Sequence, residues 1–403
     1  METPEAFTEE SYMINCRQST IMPSGNLHAG YAHICCADGL ITSVTTVSSS
    51  QPDESWLCPG FIDLQVNGFA GIDFSDPNLR VEQAIRVLPA VWATGVTSFY
   101  PTLITNSYER LRRNFAVLEE ARRACTAFQL CVPGYHLEGP YFPDGPARGV
   151  HNPEFLRSPD WDEFTRLQEA AGHRIKIVTL APELPGALEF IARCVRAGVV
   201  CAIGHTDATA TVIHAAVDAG ARLSTHLGNG CATMIDRHQN PLWPQLANER
   251  LHVSLICDGF HLPEDLLRVI VKVKGVNGCI LVTDAIHVAN MPPGRYTLVD
   301  MPVELLPSGK VVKRDRASMA GSALAMNRAV SIFQQHASVS FEDACIAATK
   351  NPASLLNDRG VCQEIAAGQP ANLIRVVPQS GELRVLEVWI GGDPVWAREE
   401  FLR

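Results

Sequence analysis

The sequence predicts an α/β fold, a (β/α)8 TIM barrel with a small β-sandwich domain built from both chain termini. Eight apolar runs alternate with amphipathic segments through the middle of the chain, a pattern typical of a parallel sheet with crossover helices. Short strand-like runs, separated by turn residues, lie at each end of the chain. The 403 residues are enough for one barrel of about 250 residues and a smaller second domain.

The two terminal segments carry the signals of short strands. The runs "YAHICCAD" and "LITSVTTV" lie near the N-terminus, and "ANLIRVVP" and "LRVLEVWIGGDPVW" lie near the C-terminus. Their β-branched residues and turns such as "ADG" favour a small β domain. We therefore predict that residues 1–57 and 359–403 form this domain, and that residues 58–358 form a barrel inserted between its halves.

The eight barrel strands are predicted from eight apolar runs in chain order. They are "FIDLQVNGF", "VTSFYPTLI", "CVPGYHLE", "IKIVTLAP", "VVCAIGHT", "LSTHLGN", "HVSLICDGFH" and "CILVTDA". Amphipathic segments such as "LPGALEFIARCVRAG" lie between most of them. The glycines in "RAGV" and "DAGA" match the residue that commonly ends a helix before the next strand.

Composition and charge argue against two classes of partner. A formal net charge of -10 argues against nucleic acid or an anionic membrane surface. The sequence contains no uninterrupted apolar stretch of about 18 residues, so we predict no membrane helix. The segment "METPEAFTEESYMIN" lacks the features of a secretory signal. Thirteen cysteines without C-x-x-C spacing indicate free thiols in a reducing compartment. We therefore expect a cytoplasmic protein that acts on a small molecule.

Polar residues end most of the predicted strands, at the mouth of the expected barrel. They are Asp63, Gln65 and Asn67 on the first strand, Glu138 on the third, His205 on the fifth, His226 on the sixth, Asp258 and His261 on the seventh, and Asp284 on the eighth. One glutamate and two histidines suit a divalent metal with a position left open for water. A free carboxylate such as Asp284 would then suit a general base and acid.

Each of these residues also has a plain structural interpretation. A single histidine at a strand end is more often hydrogen-bonded in a core or loop, and Asp284 alone would suit a helix N-cap. His136 shares a strand face with Glu138, and a structural hydrogen-bonding role is favoured for it. The prediction of a metal site depends on the conjunction of four such residues at four strand ends of one barrel pattern.

Several motifs together resemble the N-acetylglucosamine-6-phosphate deacetylase family of the amidohydrolase superfamily. They are "PGFIDLQVNG", "HLEGPYF", "GVHNPEF", "GHTDAT", "STHLGN", "DGFH" and "LVTDA", followed by the later "NPASLLN" and "IAAGQPANL". Each motif is weak alone, but the order and spacing match the family from Pro59 to Leu373.

The resemblance implies a metal-dependent hydrolase that releases acetate from N-acetylglucosamine 6-phosphate, using metal-activated water with Asp284 as general base and acid. It places Glu138, His205 and His226 on the family's metal ligands. Other superfamily members carry H-x-H on strand one for a second metal, and Gln65 and Asn67 stand at those positions here. They are therefore interpreted as vestigial second-metal positions. We expect one divalent metal per subunit, zinc first, with iron or another divalent ion as alternatives.

The resemblance also implies a set of substrate contacts. Arg237 stands eleven residues after His226, where the family has a phosphate-binding arginine that reaches into the neighbouring subunit's site. A homodimer is thus implied, and an arginine suits a phosphate because it binds bidentately. The remaining implied contacts are Val150, His151, Asn229, Gly230, Asp258, His261, Met319, Ala320 and Gly321.

The loop after His226 departs from the family pattern. Gly228, Asn229, Gly230 and Cys231 replace an aromatic residue followed by Asn-Ala-Met, and "HQNPLWPQ" replaces an acidic-Pro-Gly segment. The residues of the reaction are kept, whereas the substrate stays open. Deacylation of N-acetylgalactosamine 6-phosphate or of an unphosphorylated N-acyl amine is the alternative within hydrolases. A non-catalytic scaffold and a cyclic-amide hydrolase that uses Lys176 on the fourth strand are further alternatives.

Overall fold

An eight-stranded parallel sheet forms the centre of the computed structural model, which describes residues 17–18, 31–47, 55–314, 318–357, 360–379 and 381–398. Its strands follow one another in chain order around a barrel. They are β1 (Phe61–Val66), β2 (Val96–Ile104), β3 (Tyr135–Glu138), β4 (Ile175–Leu180), β5 (Val200–Ile203), β6 (Leu223–Ser224), β7 (His252–Ile256) and β8 (Cys279–Val282). The eight predicted strands and the barrel are thus confirmed.

Backbone hydrogen bonds near the mouth close the barrel between β1 and the segment that follows β8. The Asp284 amide donates to the Gln65 carbonyl at 3.0 Å, and the Asn67 amide donates to the Ala285 carbonyl at 2.8 Å. Because these bonds join the two segments that carry polar side chains, closure of the barrel also brings those side chains together.

Helices and short turns cover the outside of the barrel, and their sequences are amphipathic as expected. The α-helices are Val81–Arg86, Leu88–Trp92, Tyr108–Ala124, Thr126–Cys131, Trp161–Ala170, Ala187–Arg196, Ala210–Asp218, Leu242–Ala247, Glu264–Lys274, Met326–His336, Phe341–Ala348 and Lys350–Leu356. The 3-10 turns are Pro146–Arg148, Pro153–Phe155 and Val276–Gly278. Gly198 and Gly220 follow two of these helices at φ 75° and 110°, the positive-φ conformation predicted for a helix-ending glycine.

Strands from both chain ends form one seven-stranded, mostly antiparallel sheet, which confirms the predicted terminal β layer. Its strands are Arg17–Gln18, Tyr31–Ala37, Leu40–Val47, Trp56–Pro59, Leu373–Gln379, Glu382–Ile390 and Asp393–Ala397. Residues of this sheet, including Ile34, Leu57 and Trp389, form a separate apolar cluster with Cys362, Ile365 and Ala371. The predicted boundary after residue 57 falls within the strand Trp56–Pro59, and the boundary after residue 358 lies outside the described residues.

A three-stranded antiparallel sheet that the sequence patterns did not predict follows β8. Its strands are Gly294–Leu298, Met301–Leu305 and Val311–Lys313, and its apolar side packs on Ile286 and Val288. Val150, from the loop after β3, joins the same cluster. The insert therefore forms part of the wall of the barrel mouth. A signal was available in the alternating "RYTL" and "PVEL" runs and the "PSG" turn.

Two of the compositional expectations can be compared with the structure. No helix in the described part of the chain is both long and apolar enough to cross a membrane. The twelve cysteines within the described ranges are all free thiols, while Cys16 lies outside them. The acidic N-terminal segment "METPEAFTEESYMIN" also lies outside the described residues.

Candidate active site

Three polar residues that follow barrel strands have an unusual backbone conformation. His205, His226 and Asp284 adopt φ values of 50°, 31° and 48°. A residue other than glycine held in this region costs about 1–3 kcal/mol, and such residues concentrate at functional sites. Because each lies shortly after its strand, the tight turn directs its side chain into the mouth of the barrel.

Glu138 lies at the centre of a buried cluster with three imidazoles. Its Oε1 is 3.0 Å from His226 Nε2 and 3.3 Å from His205 Nε2, and His151 Nε2 is 3.2 Å from His205 Nε2. Ligand atoms around a tetrahedral ion are about 3.3 Å apart when each bond is about 2.0–2.1 Å. The separations therefore match those of a metal centre.

The histidines contribute to this cluster in different ways. Ligand atoms of Glu138, His151 and His205 all lie within 4.8 Å of one another. His226 Nε2 is 3.0 Å from the same carboxylate oxygen, and its ring centroid is 4.9 Å from that of His205. The structure thus brings the three predicted ligands together and adds His151, which the resemblance assigned to substrate contact.

A backbone contact orients one of these imidazoles for metal binding. His205 Nδ1 lies 3.0 Å from the Ala147 carbonyl oxygen, an acceptor, so Nδ1 carries the proton and donates. A metal would replace the proton on Nε2 of His205, the nitrogen that lies 3.3 Å from Glu138 Oε1, as metal-binding histidines commonly require. The donor set of one carboxylate and imidazole nitrogens fits a borderline divalent cation such as zinc.

The protonation of the cluster follows from its burial and its hydrogen bonds. Burial alone would raise the pKa of Glu138, but hydrogen bonds from His205 and His226 outweigh it and hold that pKa well below its usual value. Burial would lower the pKa of His226, but its contact with Glu138 raises it instead. Burial, together with the proximity of His205, holds the pKa of His151 well below normal. Without a metal, these two directions favour an ionised Glu138 beside a protonated His226.

Asp284 is the second buried carboxylate of the site. Its Oδ1 accepts hydrogen bonds from Gln65 Nε2 at 3.0 Å and from Asn67 Nδ2 at 2.7 Å. Burial and the negative charge of Glu138 raise the pKa of Asp284 to about 6. A carboxyl with a pKa near the working pH is suited to accept and return a proton.

Two further histidines take supporting positions. His261 Nδ1 bonds to Asp258 Oδ2 at 2.7 Å, and this contact, against the opposing effect of burial, holds the pKa of Asp258 below normal. Asp258 therefore orients His261. His136 is buried between the Leu64 carbonyl and the Thr179 hydroxyl, and burial lowers its pKa to about 4. The structural role favoured for His136 agrees with these contacts.

A cavity of about 440 Å³ opens above the cluster. The predicted residues that line it are Asn67, Glu138, Val150, His151, His205, His226, Asn229, Gly230, His261, Asp284, Met319 and Gly321. Asp258 lies behind His261, Ala320 is fully buried in the cluster under the insert, and Arg237 is exposed outside the cavity. Lys176 is the second residue of β4, at the end of that strand away from the mouth.

The sequence patterns missed several residues of the cavity wall. They are Asp73, Ile104, Gly149, Ala232, Thr233, Ile235, Leu242, Ile256, Ile286 and Leu298, whereas Gly228 and Cys231 belong to the altered loop named above. Most are apolar, and single apolar residues carry no sequence signal for a binding wall. A clue was available for Ile104 and Ile256, which are the last residues of β2 and β7, since a barrel builds its site at these strand ends. In the described part of the chain, neither lysine nor arginine lines this cavity.

Gly230 packs directly against two of the metal-site histidines. A Cβ atom there would lie 2.9 Å from His226 Cε1 and 3.2 Å from His205 Nδ1, and the backbone φ is 58°. The absence of a side chain at Gly230 therefore leaves room for the two imidazoles and does not enlarge the cavity. A Cβ atom at Gly228, where φ is 88°, would lie 3.1 Å from Leu262 Cδ2.

We predict that Gly230→Ala will weaken metal binding at least about tenfold, because the new methyl group must displace His226 or His205. Gly186→Ala is a matched control, since Gly186 also has a positive φ of 77° but no atom lies within 4 Å of the position that a methyl group there would take. Both variants carry a backbone penalty of about 1–2 kcal/mol. Titration of metal into the chelated proteins measures the difference, and equal affinities in the two variants would refute the packing argument.

Similarity to known proteins shows which family the chain belongs to. The profile of the amidohydrolase family matches residues 56–395, and the chain belongs to this family. It resembles the N-acetylgalactosamine-6-phosphate deacetylase of Escherichia coli O157:H7, with 32% identity over 89% of this chain and 93% of the relative. The N-acetylglucosamine-6-phosphate deacetylase of Homo sapiens is 33% identical over 84% of this chain and 83% of its own length. Within the amidohydrolases, the chain therefore belongs to the N-acetylglucosamine-6-phosphate deacetylase family.

Solved structures agree with this family assignment. A Mycobacterium smegmatis N-acetylglucosamine-6-phosphate deacetylase, solved as a mutant with N-acetylglucosamine 6-phosphate, has a TM-score of 0.82 and 29% identity. The match covers 94% of this chain and 98% of that one. The deacetylase of Pasteurella multocida has a TM-score of 0.84 and 25% identity, covering 96% and 99% of the two chains.

Proposed function

We propose that this amidohydrolase removes the acetyl group from an N-acetyl amino sugar 6-phosphate, with N-acetylglucosamine 6-phosphate as the first candidate. The products would be acetate and the free amino sugar phosphate. The observation that carries the proposal is the placement of Asp284 beside the Glu138 and histidine cluster, in one cavity at the mouth of the barrel. The family membership and the named relatives support the substrate class.

Glu138, His205 and His226 would hold one divalent ion, with zinc expected and iron as an alternative. When bound, such an ion polarises the acetamide carbonyl and makes a water molecule more acidic. Asp284 takes the proton of the attacking water at its free oxygen Oδ2. It then gives that proton to the departing nitrogen, which leaves as a neutral amine. The oxygen of the water first forms a C–O bond to the carbonyl carbon, and the C–N bond then breaks. The second proton of the water passes from the acetic acid to the freed amine, so that the products are acetate and an ammonium group.

The remaining cavity residues would bind and orient the sugar. His261, held by Asp258 through Nδ1, presents Nε2 toward the cavity. In its imidazolium form, His261 would donate through Nε2 to the carbonyl oxygen as that oxygen gains negative charge. Val150, His151, Asn229, Gly230, Met319, Ala320 and Gly321 remain our proposed sugar contacts, although Ala320 would act through its buried backbone.

We propose that the phosphate is bound by Arg237 from a second subunit of a homodimer in the cytoplasm. In the described part of the chain, neither lysine nor arginine lines the cavity, and an arginine from a second subunit would supply the charge that a phosphate requires. Arg237 is exposed and makes no ion pair with any described residue. Beside it, Met234 is 88% and Trp243 48% exposed, an apolar surface of the kind that a second copy would cover.

Arg237→Ala is predicted to raise KM for the 6-phosphate substrate about tenfold or more and to leave the slower reaction with the unphosphorylated sugar unchanged. A charged hydrogen bond to phosphate contributes about 1.5–3 kcal/mol, which sets this range. Arg112→Ala, at an exposed arginine on the helix Tyr108–Ala124, is the control and should change neither reaction. If the wild-type protein hydrolyses the 6-phosphate and the unphosphorylated sugar at equal rates, the proposal that it recognises the phosphate is refuted.

N-acetylgalactosamine 6-phosphate is the second candidate substrate. The Escherichia coli relative is named for that sugar, and the human relative is named for the glucosamine epimer. The loop from Gly228 to Trp243, which differs from the family pattern, lines the cavity through Gly228, Asn229 and Cys231. Comparing kcat/KM for acetate release from the two epimers decides between them.

A further inference from the structure

Two buried side-chain amides, at the end of β1 and directly after it, lie beside the two carboxylates of the site. Gln65 Nε2 donates to Glu138 Oε1 at 2.9 Å and to Asp284 Oδ1 at 3.0 Å. Asn67 Nδ2 donates to the same Asp284 Oδ1 at 2.7 Å. All four side chains are buried. A single NH2 group thus bridges the two carboxylates of the site.

This bridge lowers the electrostatic cost of placing two buried carboxylates together. Like charges in a site of low dielectric repel each other, and each raises the pKa of the other. The NH2 group of glutamine has two hydrogens, so it can donate one to each carboxylate. The amides therefore provide partial positive charge next to the two carboxylates.

The pattern of hydrogen bonds also distinguishes the two oxygens of Asp284. In the described part of the chain, its side-chain hydrogen bonds all end on Oδ1. Because Oδ1 already accepts two N–H groups, Oδ2 is the oxygen left with its lone pairs open. A carboxylate held in this way exchanges protons from one defined position.

We propose that Gln65 and Asn67 form an amide clamp, which fixes Asp284 through Oδ1 and leaves Oδ2 as the proton-transferring oxygen. The proposal deepens the proposed function and rests on it. The two residues are positioning residues, with a role of their own rather than remnants of a lost metal site.

The orientation of Asn67 adds a substrate contact to the clamp. An ionised carboxylate only accepts hydrogen bonds, so the NH2 group of Asn67 must face Asp284 and its Oδ1 must face the other way. That Oδ1 is buried and has no hydrogen-bond partner among the described residues, and Asn67 lines the cavity. It is therefore positioned to accept the N–H of the scissile amide, which would hold the leaving nitrogen near Asp284.

The test replaces each amide by an apolar residue of similar shape, as Gln65→Met and Asn67→Leu. Each variant loses N–H donors that favour the ionised form of Asp284, so the acid limb of the kcat profile is expected to move to higher pH. We also expect kcat to fall about ten- to a hundredfold, because a hydrogen bond to a charged group contributes about 1.5–3 kcal/mol. Metal content, measured by elemental analysis, is expected to stay at the wild-type value.

Asn114→Leu is the matched control for the loss of a buried amide. Asn114 Nδ2 donates to the carbonyls of Phe74 and Asp76, far along the chain from Asp284, and its side chain is buried. This variant is expected to lose stability without any shift of the pH profile. If Gln65→Met and Asn67→Leu keep the wild-type pH profile, or lose activity only as Asn114→Leu does, the clamp is refuted.

A second readout does not depend on the substrate. Infrared difference spectra of the metal-loaded protein should contain a carboxylic acid band that Asp284→Asn removes. In Asn67→Leu, that band is expected to persist to higher pH than in the wild type. If the wild type releases no acetate but the band shifts, the proposed function fails and the clamp stands. An unshifted band overturns the clamp, whatever the substrate.

Discussion

Asp284→Asn is expected to lower kcat about 10²–10⁴-fold, the range in which general acid–base catalysis contributes. Asparagine has the shape of aspartate but cannot take up the proton of the attacking water. It also tolerates the left-handed backbone at φ 48°, so the turn after β8 should keep its conformation. Metal content and thermal midpoint should therefore stay at wild-type values. Acetate release at saturating substrate, together with elemental analysis, measures both expectations.

The pH dependence of the wild type gives an independent check on the role of Asp284. Burial and the charge of Glu138 raise the pKa of Asp284 to about 6. The base must be ionised, so kcat should fall as the pH decreases through that pKa. A bound cation would lower this raised pKa of Asp284, which places the acid limb of the kcat profile at or below about pH 6. If the residual activity of Asp284→Asn keeps the same acid limb, another group is the base.

Glu138→Gln is expected to remove both the metal and the activity, with kcat/KM reduced at least about 10³-fold, because the ion supplies several kcal/mol of stabilisation to the transition state. The amide is a poor ligand for a borderline cation. It also leaves His205 and His226 without the carboxylate that both contact. Elemental analysis of the dialysed variant tests the first effect, and acetate release tests the second.

Histidine variants show which imidazoles bind the ion. The family resemblance places His226 among the ligands, whereas the trio whose ligand atoms lie within 4.8 Å of one another contains His151. We expect His226→Ala and His205→Ala to lose the metal, and His151→Ala to retain it while KM for the sugar rises. Loss of the metal from His151→Ala, with retention in His226→Ala, would contradict the proposed ligand set. The wild type should bind one equivalent, and two tightly held equivalents would contradict our interpretation of Gln65 and Asn67.

The sequence was informative about the strands of the barrel and about the residues that end them. Period-two apolar runs and terminal glycines are local signals, so β1 to β8 could be predicted without knowledge of tertiary contacts. Parallel strands also place their carboxyl ends together, which made Glu138, His205, His226 and Asp284 a plausible cluster. The ligand roles themselves came from the family resemblance and stay predictions.

Other features depend on contacts that no local pattern encodes. Gln65 and Asp284 are 219 residues apart in the chain, and only closure of the barrel brings the amide to the carboxylate. The packing role of Gly230, shown by its positive φ and the adjacent imidazoles, likewise depends on a tertiary contact. The insert Gly294–Lys313 was missed because its strands are short and half-exposed.

Acetate release from N-acetylglucosamine 6-phosphate is the most direct measurement of the central claim, that a single metal beside Asp284 supports deacetylation. The protein is chelated, reconstituted with one equivalent of zinc, and assayed against both 6-phosphate epimers and their unphosphorylated forms. We predict release from a 6-phosphate by the reconstituted protein and its loss on chelation. Absence of acetate from every sugar, with one equivalent of metal bound, would contradict the account.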